Sequence, residues 1–299
     1  MNLLKFSMMF AFVGMISEPL SAATFTRTTA ISRGCNSTVT ETHQGTEVSR
    51  FAGTTLAGLG SCNMVSQAVT GAGYVGTLST GNSFAEGALG SSEALWQSSF
   101  SITKPLGYSG GLVGIKVNSI VHGVVSSAQA VTQNSTTATA LLEGFLTVFY
   151  NNGVRNDVEA TAGGRAEVKA QAFPGTPATD YLEMDEKLTS GWLLVDPNEE
   201  IKVRFLMRAS ARYSAGDYSS GSASALGMNT LSFSQQAFEF NEAGFSITNA
   251  EASVLNNQWV DPRGGSTPVV PLPVPGLLLM AAFGTLAGSR RMKCISFNA

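Results

Sequence analysis

The sequence predicts an all-β fold, a single antiparallel β-sandwich of jelly-roll-like type, and three observations carry that expectation. Apolar residues recur at alternate positions in several short runs. Turn-forming residues break these runs about every ten residues, the spacing of a sandwich. No long segment repeats with the helical period that would separate strands in an α/β chain.

The elements are justified in chain order. Residues 24 to about 90 are rich in Gly, Ser, Thr and Ala and weakly patterned. They read as the first strands of the sandwich or as a loosely packed elaboration of it. Ala94 to Ile102 alternates, with Ala94, Trp96, Ser98, Phe100 and Ile102 on one face. Leu112 to Val125 is rich in Val and Ile and is broken by Gly123. Thr139 to Tyr150 is apolar and aromatic and ends in Asn151-Asn152-Gly153, a hairpin-turn signal, with Gly164 to Phe173 as the returning strand. Trp192 to Val195 stops at the turn Asp196-Pro197-Asn198. Ile201 to Phe205 alternates cleanly, and the run continues to Tyr213 with a phase slip at Met207-Arg208-Ala209. Ser222 to Phe233 and Gly244 to Thr248 are shorter strand candidates. Only Asp180 to Leu188 carries a trace of helical period. No internal repeat stands out, so residues 24–260 are expected to form one domain.

Composition narrows the function classes. Charged residues make up 13% of the chain, about half the share usual for a soluble globular domain. The net charge of -3 offers no overall basic field for nucleic acid. His43 and His122 are the only histidines, which restricts imidazole-based metal or nucleophile sites. Cys294 lies beyond the last apolar segment, leaving Cys35 and Cys62 as the pair able to form a disulfide in an oxidising compartment. The alternative is two buried free thiols.

Both ends read as addresses. Residues 1–23 have the parts of a secretory signal: Lys5, the apolar run Phe6 to Ile16, the helix breaker Glu18-Pro19-Leu20, and small residues Ser21-Ala22-Ala23 at the cleavage site. The mature chain is expected to start at Ala23 or Thr24. At the other end residues 261–269 form a polar linker, and residues 268–275 hold four prolines that enforce an extended stalk. Gly276 to Gly288 is apolar but shorter than the roughly 20 residues a membrane span needs. Arg290, Arg291 and Lys293 follow, and basic residues in that place stay on the cytoplasmic side. The short span favours transient inner-membrane anchoring followed by processing. Residues 294–299 form a short tail.

The order Val270-Pro271-Leu272-Pro273-Val274, apolar helix, Arg290-Arg291 resembles a VPLPA-CTERM tail, a variant of the PEP-CTERM sorting signals of some Gram-negative bacteria. Val274 stands where that motif has Ala, and the chain continues past the arginines. The resemblance implies exosortase-type processing machinery as a partner, an inner membrane at least transiently, and delivery to the envelope or the extracellular polysaccharide matrix. The body is similar, less specifically, to the ectodomains of such proteins, with the acidic step Asn198-Glu199-Glu200 before an alternating strand.

Motifs with catalytic letters lack catalytic context. Gly71-Ala72-Gly73-Tyr74-Val75-Gly76 spells a dinucleotide fingerprint, but turn formers follow it where a helix would have to begin. Gly107-Tyr108-Ser109-Gly110-Gly111 spells a nucleophile elbow, but a Val/Ile strand follows, with His122 on or beside it. Asp180, Glu183, Asp185 and Glu186 are the densest acidic cluster, readable as calcium ligands or, with better support, as a solvated loop or short helix. Trp96 and Trp192 sit in strand patterns and are expected in the core, and Trp259 is expected to cap the sandwich. No catalytic residue, metal or cofactor is assigned. The leading expectation is a non-enzymatic structural or adhesive component of the envelope or matrix. A carbohydrate-binding module, calcium-dependent in one version, and an exported hydrolase are the alternatives.

Overall fold

The computed structural model describes residues 24–263, apart from 35–36, 48, 58–62, 85–87, 131–136, 154–159, 173–177 and 215–219. The signal segment, Cys35, Cys62 and the tail from Val270 through Arg291 lie outside the described residues. The remainder is built from strands: β1 (Phe25–Gly34), β2 (Ser37–Gly45), β3 (Arg50–Ala57), β4 (Asn63–Gly71), β5 (Tyr74–Phe84), β6 (Ala88–Phe100), β7 (Val113–Ala130), β8 (Thr137–Tyr150), β9 (Ala160–Ala172), β10 (Ala178–Thr189), β11 (Leu193–Val195), β12 (Ile201–Ser214), β13 (Ser220–Phe240), β14 (Val254–Leu255) and β15 (Gln258–Trp259).

They form a β-sandwich. One sheet runs β2-β1-β6-β12-β8-β9, the other β10-β7-β13-β5-β4-β3, with β11 added to β7 and the β14–β15 ribbon to β13. Every strand pair is antiparallel. Alternation decides which side chains are enclosed, because successive residues point to opposite faces of a strand. In β6 the even-numbered residues Ala94, Trp96, Ser98 and Phe100 turn inward, as the sequence predicts. Trp96 and Phe100 then meet Phe205 of β12 and Phe233 and Phe238 of β13 in one aromatic cluster between the layers.

The weakly patterned segment forms β1 to β5 and the start of β6, so it belongs to the sandwich. Besides Leu56, Met64 and Val75, its enclosed residues are largely small or hydroxylated, which is why hydropathy does not reveal them. Thr26, Thr28, Ser32, Thr54, Ser66, Thr70, Thr77 and Ser79 are all buried beside Ala30, Ala52 and Ala68. Some of these hydroxyls offset their burial by bonding across the layers, whereas Thr28 Oγ1 and Thr77 Oγ1 meet no partner among the described residues. Ser32 Oγ and Thr54 Oγ1 share a hydrogen bond of 2.9 Å, and Ser66 Oγ donates to the Ile31 carbonyl at 2.8 Å. The same contacts bring the end of β1 and the start of β4 to one corner of the sandwich.

Four sequence expectations change. Asp180 to Leu188 is not helical: it lies within β10, paired along its length with β7. The phase slip in β12 is absent, since Met207, Ala209, Ala211 and Tyr213 continue inward in step with Ile201, Val203 and Phe205. Gly123 does not interrupt its segment, which is one strand from Val113 to Ala130. Gly244 to Thr248 forms only a bridge, Thr103 to Ser246, although Phe245 and Ile247 are buried. Side-chain burial and hydrogen bonds to Asn257, which donates to the Phe245 and Ile247 carbonyls and accepts from the Ile247 N–H, hold that last segment in place of a ladder.

Candidate functional site

The strand β12, IKVRFLMRASARYS, sends its apolar and small residues inward and therefore sends Lys202, Arg204, Arg208 and Arg212 outward, with no acidic residue in the strand. It lies in the interior of the six-stranded sheet, so these cations stand along the middle of an exposed face. Register supplies their neighbours. Across one row lie Thr29, Glu93, Arg208, Glu143 and Glu167. The adjacent row holds Arg27, Leu95, Leu206, Phe145 and Arg165. Arg33, Leu89, Arg212 and Thr139 form another. Among the described side chains this face presents seven cations against three carboxylates. The outer face of the opposite sheet presents Lys116 and Lys187 against Glu183, Asp185 and Glu239.

The cations are held in fixed geometry. Glu93 accepts from Arg208 Nε at 2.8 Å and also pairs with Arg27. Arg165 bridges Glu143, at 2.7 Å, and Glu167. Arg204 Nε donates to Gln97 Oε1 at 2.9 Å while its guanidinium lies 4.7 Å from the Phe149 ring centre. Arg165 and Arg208 both lie over Phe145, at 5.4 and 5.8 Å. Of these three stacked guanidinium groups, Arg165 and Arg208 are already bonded to Glu143, Glu167 and Glu93, whereas Arg204 is bonded to the Gln97 amide and keeps N–H groups for a bidentate acceptor. Among the described residues Arg33 and Arg212 meet no carboxylate. A depression of about 250 Å³ lies in the centre of the face, lined by Ser91, Glu93, Leu141, Glu143, Arg208 and Ser210.

Burial pushes the Glu93 carboxyl up, but hydrogen bonds and charge from Arg208 and Arg27 outweigh it and hold the group below its ordinary value of 4.5. A lowered folded-state value means that Glu93 adds stability above the ordinary carboxylate range. That contribution is lost as pH falls through the lowered value. Glu93→Gln is therefore expected to be less stable than the parent at neutral pH, with the gap closing on acidification below about pH 4.5. Denaturant midpoints of both proteins across the acid range check it. A gap that stayed constant to about pH 2, below the carboxylate range, would show that the ion pairs carry none of it.

The residues singled out by sequence fall elsewhere. Gly71 and Tyr74 end β4 and begin β5, with Gly73 at φ 76° in the turn between them, so the glycine motif is a hairpin. A Cβ on Gly73 would meet Trp259 Nε1 at 2.6 Å and the Ala252 carbonyl at 2.9 Å, so only glycine fits. Ser109 lies in the connection before β7, whereas His122 is nine residues into that strand, about 30 Å along it. His122 instead faces Asp185, at 2.8 Å. The acidic cluster is neither a loop nor a short helix: alternation along β10 puts Glu183 and Asp185 on its outer side and Glu186 on the other, with Met184 and Leu188. Among the described residues no group of three His, Cys, Asp or Glu side chains is arranged to hold a metal ion. Trp96 is fully buried, as expected. Trp192 is not in the core: it is 55% exposed, because Leu193 and Val195 take the inward positions of β11, and Lys116 lies 5.1 Å from its ring centre. Trp259 is buried and donates its indole N–H to the Ala72 carbonyl at 3.0 Å.

No family model, curated protein or solved structure matches the chain.

Proposed function

We propose that this chain is an exported, non-enzymatic structural or adhesive component of the cell envelope or extracellular matrix, sorted by its C-terminal tail. The observation that carries this reading is the order of that tail: proline-rich stalk, short apolar segment, then Arg290-Arg291. Exosortase-type machinery is the partner that such an order implies, with the inner membrane as a transient stop. A sandwich of low charge suits a module displayed at the end of a stalk. Carbohydrate binding is the second reading, and the cationic, ring-backed sheet face is the observation that favours it.

Intact mass of the protein recovered from the producing cells tests the address. The expected form begins near Thr24, lacks everything after about Pro271, and occurs in the envelope or matrix fraction. Its mass is expected to be two hydrogens lighter than the dithiol, because the strands leading to Cys35 and Cys62 reach the same corner. A freely soluble product, or a membrane form that keeps Arg290 to Ala299, would sink the sorting proposal. A full dithiol mass would remove the disulfide alone.

A further inference from the structure

We propose that the outer face of the six-stranded sheet binds an acidic polysaccharide, with arginines taking the sugar carboxylates and with hydroxyls and partly covered apolar side chains receiving the rings. This deepens the matrix reading above and rests on it. The first ground is charge segregation. Among its described side chains, a chain of net charge -3 places seven cations, against three carboxylates, on a single face. Spreading like charges evenly would lower their mutual repulsion, so a concentration of this kind points to a partner of opposite sign. The second ground is shape. From Lys202 to Arg212 the cations run along one strand for ~34 Å at the ordinary strand rise. A linear chain fits such a ridge better than a single small anion does.

The third ground is chemistry. Planar guanidinium groups suit carboxylates bidentately: among the described residues Arg33 and Arg212 meet no protein carboxylate, and Arg204, held over Phe149 and bonded to Gln97, is already restricted before binding. Ser91, Ser210 and Gln97 lie between them as hydrogen-bonding groups for sugar hydroxyls. Other polyanions fit less well. An anionic membrane is gripped by protruding apolar side chains, yet among the described large apolar residues of this face only Phe25, at its edge, is exposed. Single-stranded nucleic acid stacks its bases on open rings, whereas Phe145 and Phe149 lie beneath guanidinium groups.

The test uses the protein as purified from the producing cells' envelope, with sodium polygalacturonate as probe. Dextran, anionic phosphatidylglycerol vesicles and poly(dT) serve as comparators. Saturable binding to polygalacturonate is expected, weakened about tenfold or more between ~0.05 M and ~0.5 M salt. Arg33→Gln with Arg212→Gln is expected to weaken it about tenfold, and Arg204→Gln to weaken it further. Lys116→Gln with Lys187→Gln, on the opposite sheet, is expected to leave it unchanged. Unaltered thermal unfolding of each variant separates lost contacts from lost structure. Equal binding to dextran, stronger binding to vesicles or poly(dT), or equal sensitivity to the opposite-face variants would overturn the proposal. So would an envelope-located protein that ignores polygalacturonate, and the sorting proposal would survive that result. A soluble, unsorted protein that still binds would instead sink the address and leave the surface.

Discussion

Phe233→Ala is expected to lower the stability of the sandwich by about 3–5 kcal/mol. Phe233 is fully buried, and its ring meets four others: Phe205 at 4.8 Å, Phe238 at 5.4 Å, Trp96 at 5.7 Å and Phe100 at 5.8 Å between centroids. Trp96, Phe100 and Phe205 come from the six-stranded sheet, and Phe238 lies farther along the same strand as Phe233. Removing the ring deletes contacts to both layers at once. The backbone there is also constrained, since the Phe233 N–H donates to the Gly73 carbonyl at 3.1 Å and the register of β13 shifts on either side of it. The site therefore has little freedom to collapse around the void, which places the cost in the upper part of the range for such truncations. Phe233→Leu keeps more volume and is expected to cost clearly less. Urea unfolding with unchanged m-values would read both losses as stability. A loss of no more than about 1 kcal/mol for the alanine variant, the size of an ordinary substitution, would show that the cluster is not an energetic centre.

The legibility of the fold follows the kind of residue enclosed. Where the core side chains are large, as in Ala94 to Ile102 or Ile201 to Phe205, a period of two is visible and the strands fall where expected. Where the enclosed residues are Ser and Thr, as in β1 and β3 to β5, hydropathy scoring counts them as polar and the alternation disappears. Their burial follows from partners on the facing strand, and a single segment does not display those. β10 resembles a helix in sequence for a related reason. As an edge strand it leaves Leu182 and Tyr181 exposed, and among its described side chains Met184 and Leu188, four residues apart, are the buried ones. A spacing of four is shared by a helix face and by alternate inward positions of a strand.

The cationic face is legible in part. Lys202, Arg204, Arg208 and Arg212 are all even-numbered, in a strand whose odd-numbered residues are apolar or small, so their common side can be read directly. A net charge taken over the whole chain hides it, because the acidic residues concentrate elsewhere, among them Asp180 to Glu186 and Asp196 to Glu200. The ion pairs of Arg27 with Glu93 and of Arg165 with Glu143 are not legible: the pairing of β1 with β6 makes the first and that of β8 with β9 the second, and register across a sheet is set by the tertiary fold.

Gly123→Val is expected to destabilise the sandwich by about 1–3 kcal/mol, and shortening the facing Leu142 is expected to restore part of that loss. Gly123 points inward from the middle of β7, in phase with the buried Val121 and Val125. Its backbone is ordinary extended strand, so conformational freedom is not its purpose; a Cβ there would collide with Leu142 Cδ2 and stand 3.1 Å from the Leu226 carbonyl. Gly144, two residues after Leu142, receives Val121 in return, whose Cγ2 would lie 2.9 Å from a Cβ at that position. The two sheets thus interlock by one branched side chain from each entering the space above a glycine of the other. Leu142→Ala alone is expected to cost about 2–5 kcal/mol as a cavity. In the double variant, Gly123→Val with Leu142→Ala, the new methyls occupy the vacated volume. That protein should then be more stable than the two single losses predict, by about 1 kcal/mol or more in a double-mutant cycle. Strict additivity would mean that the layers accommodate the added isopropyl group by sliding apart, and that these glycines do not set the spacing between the sheets.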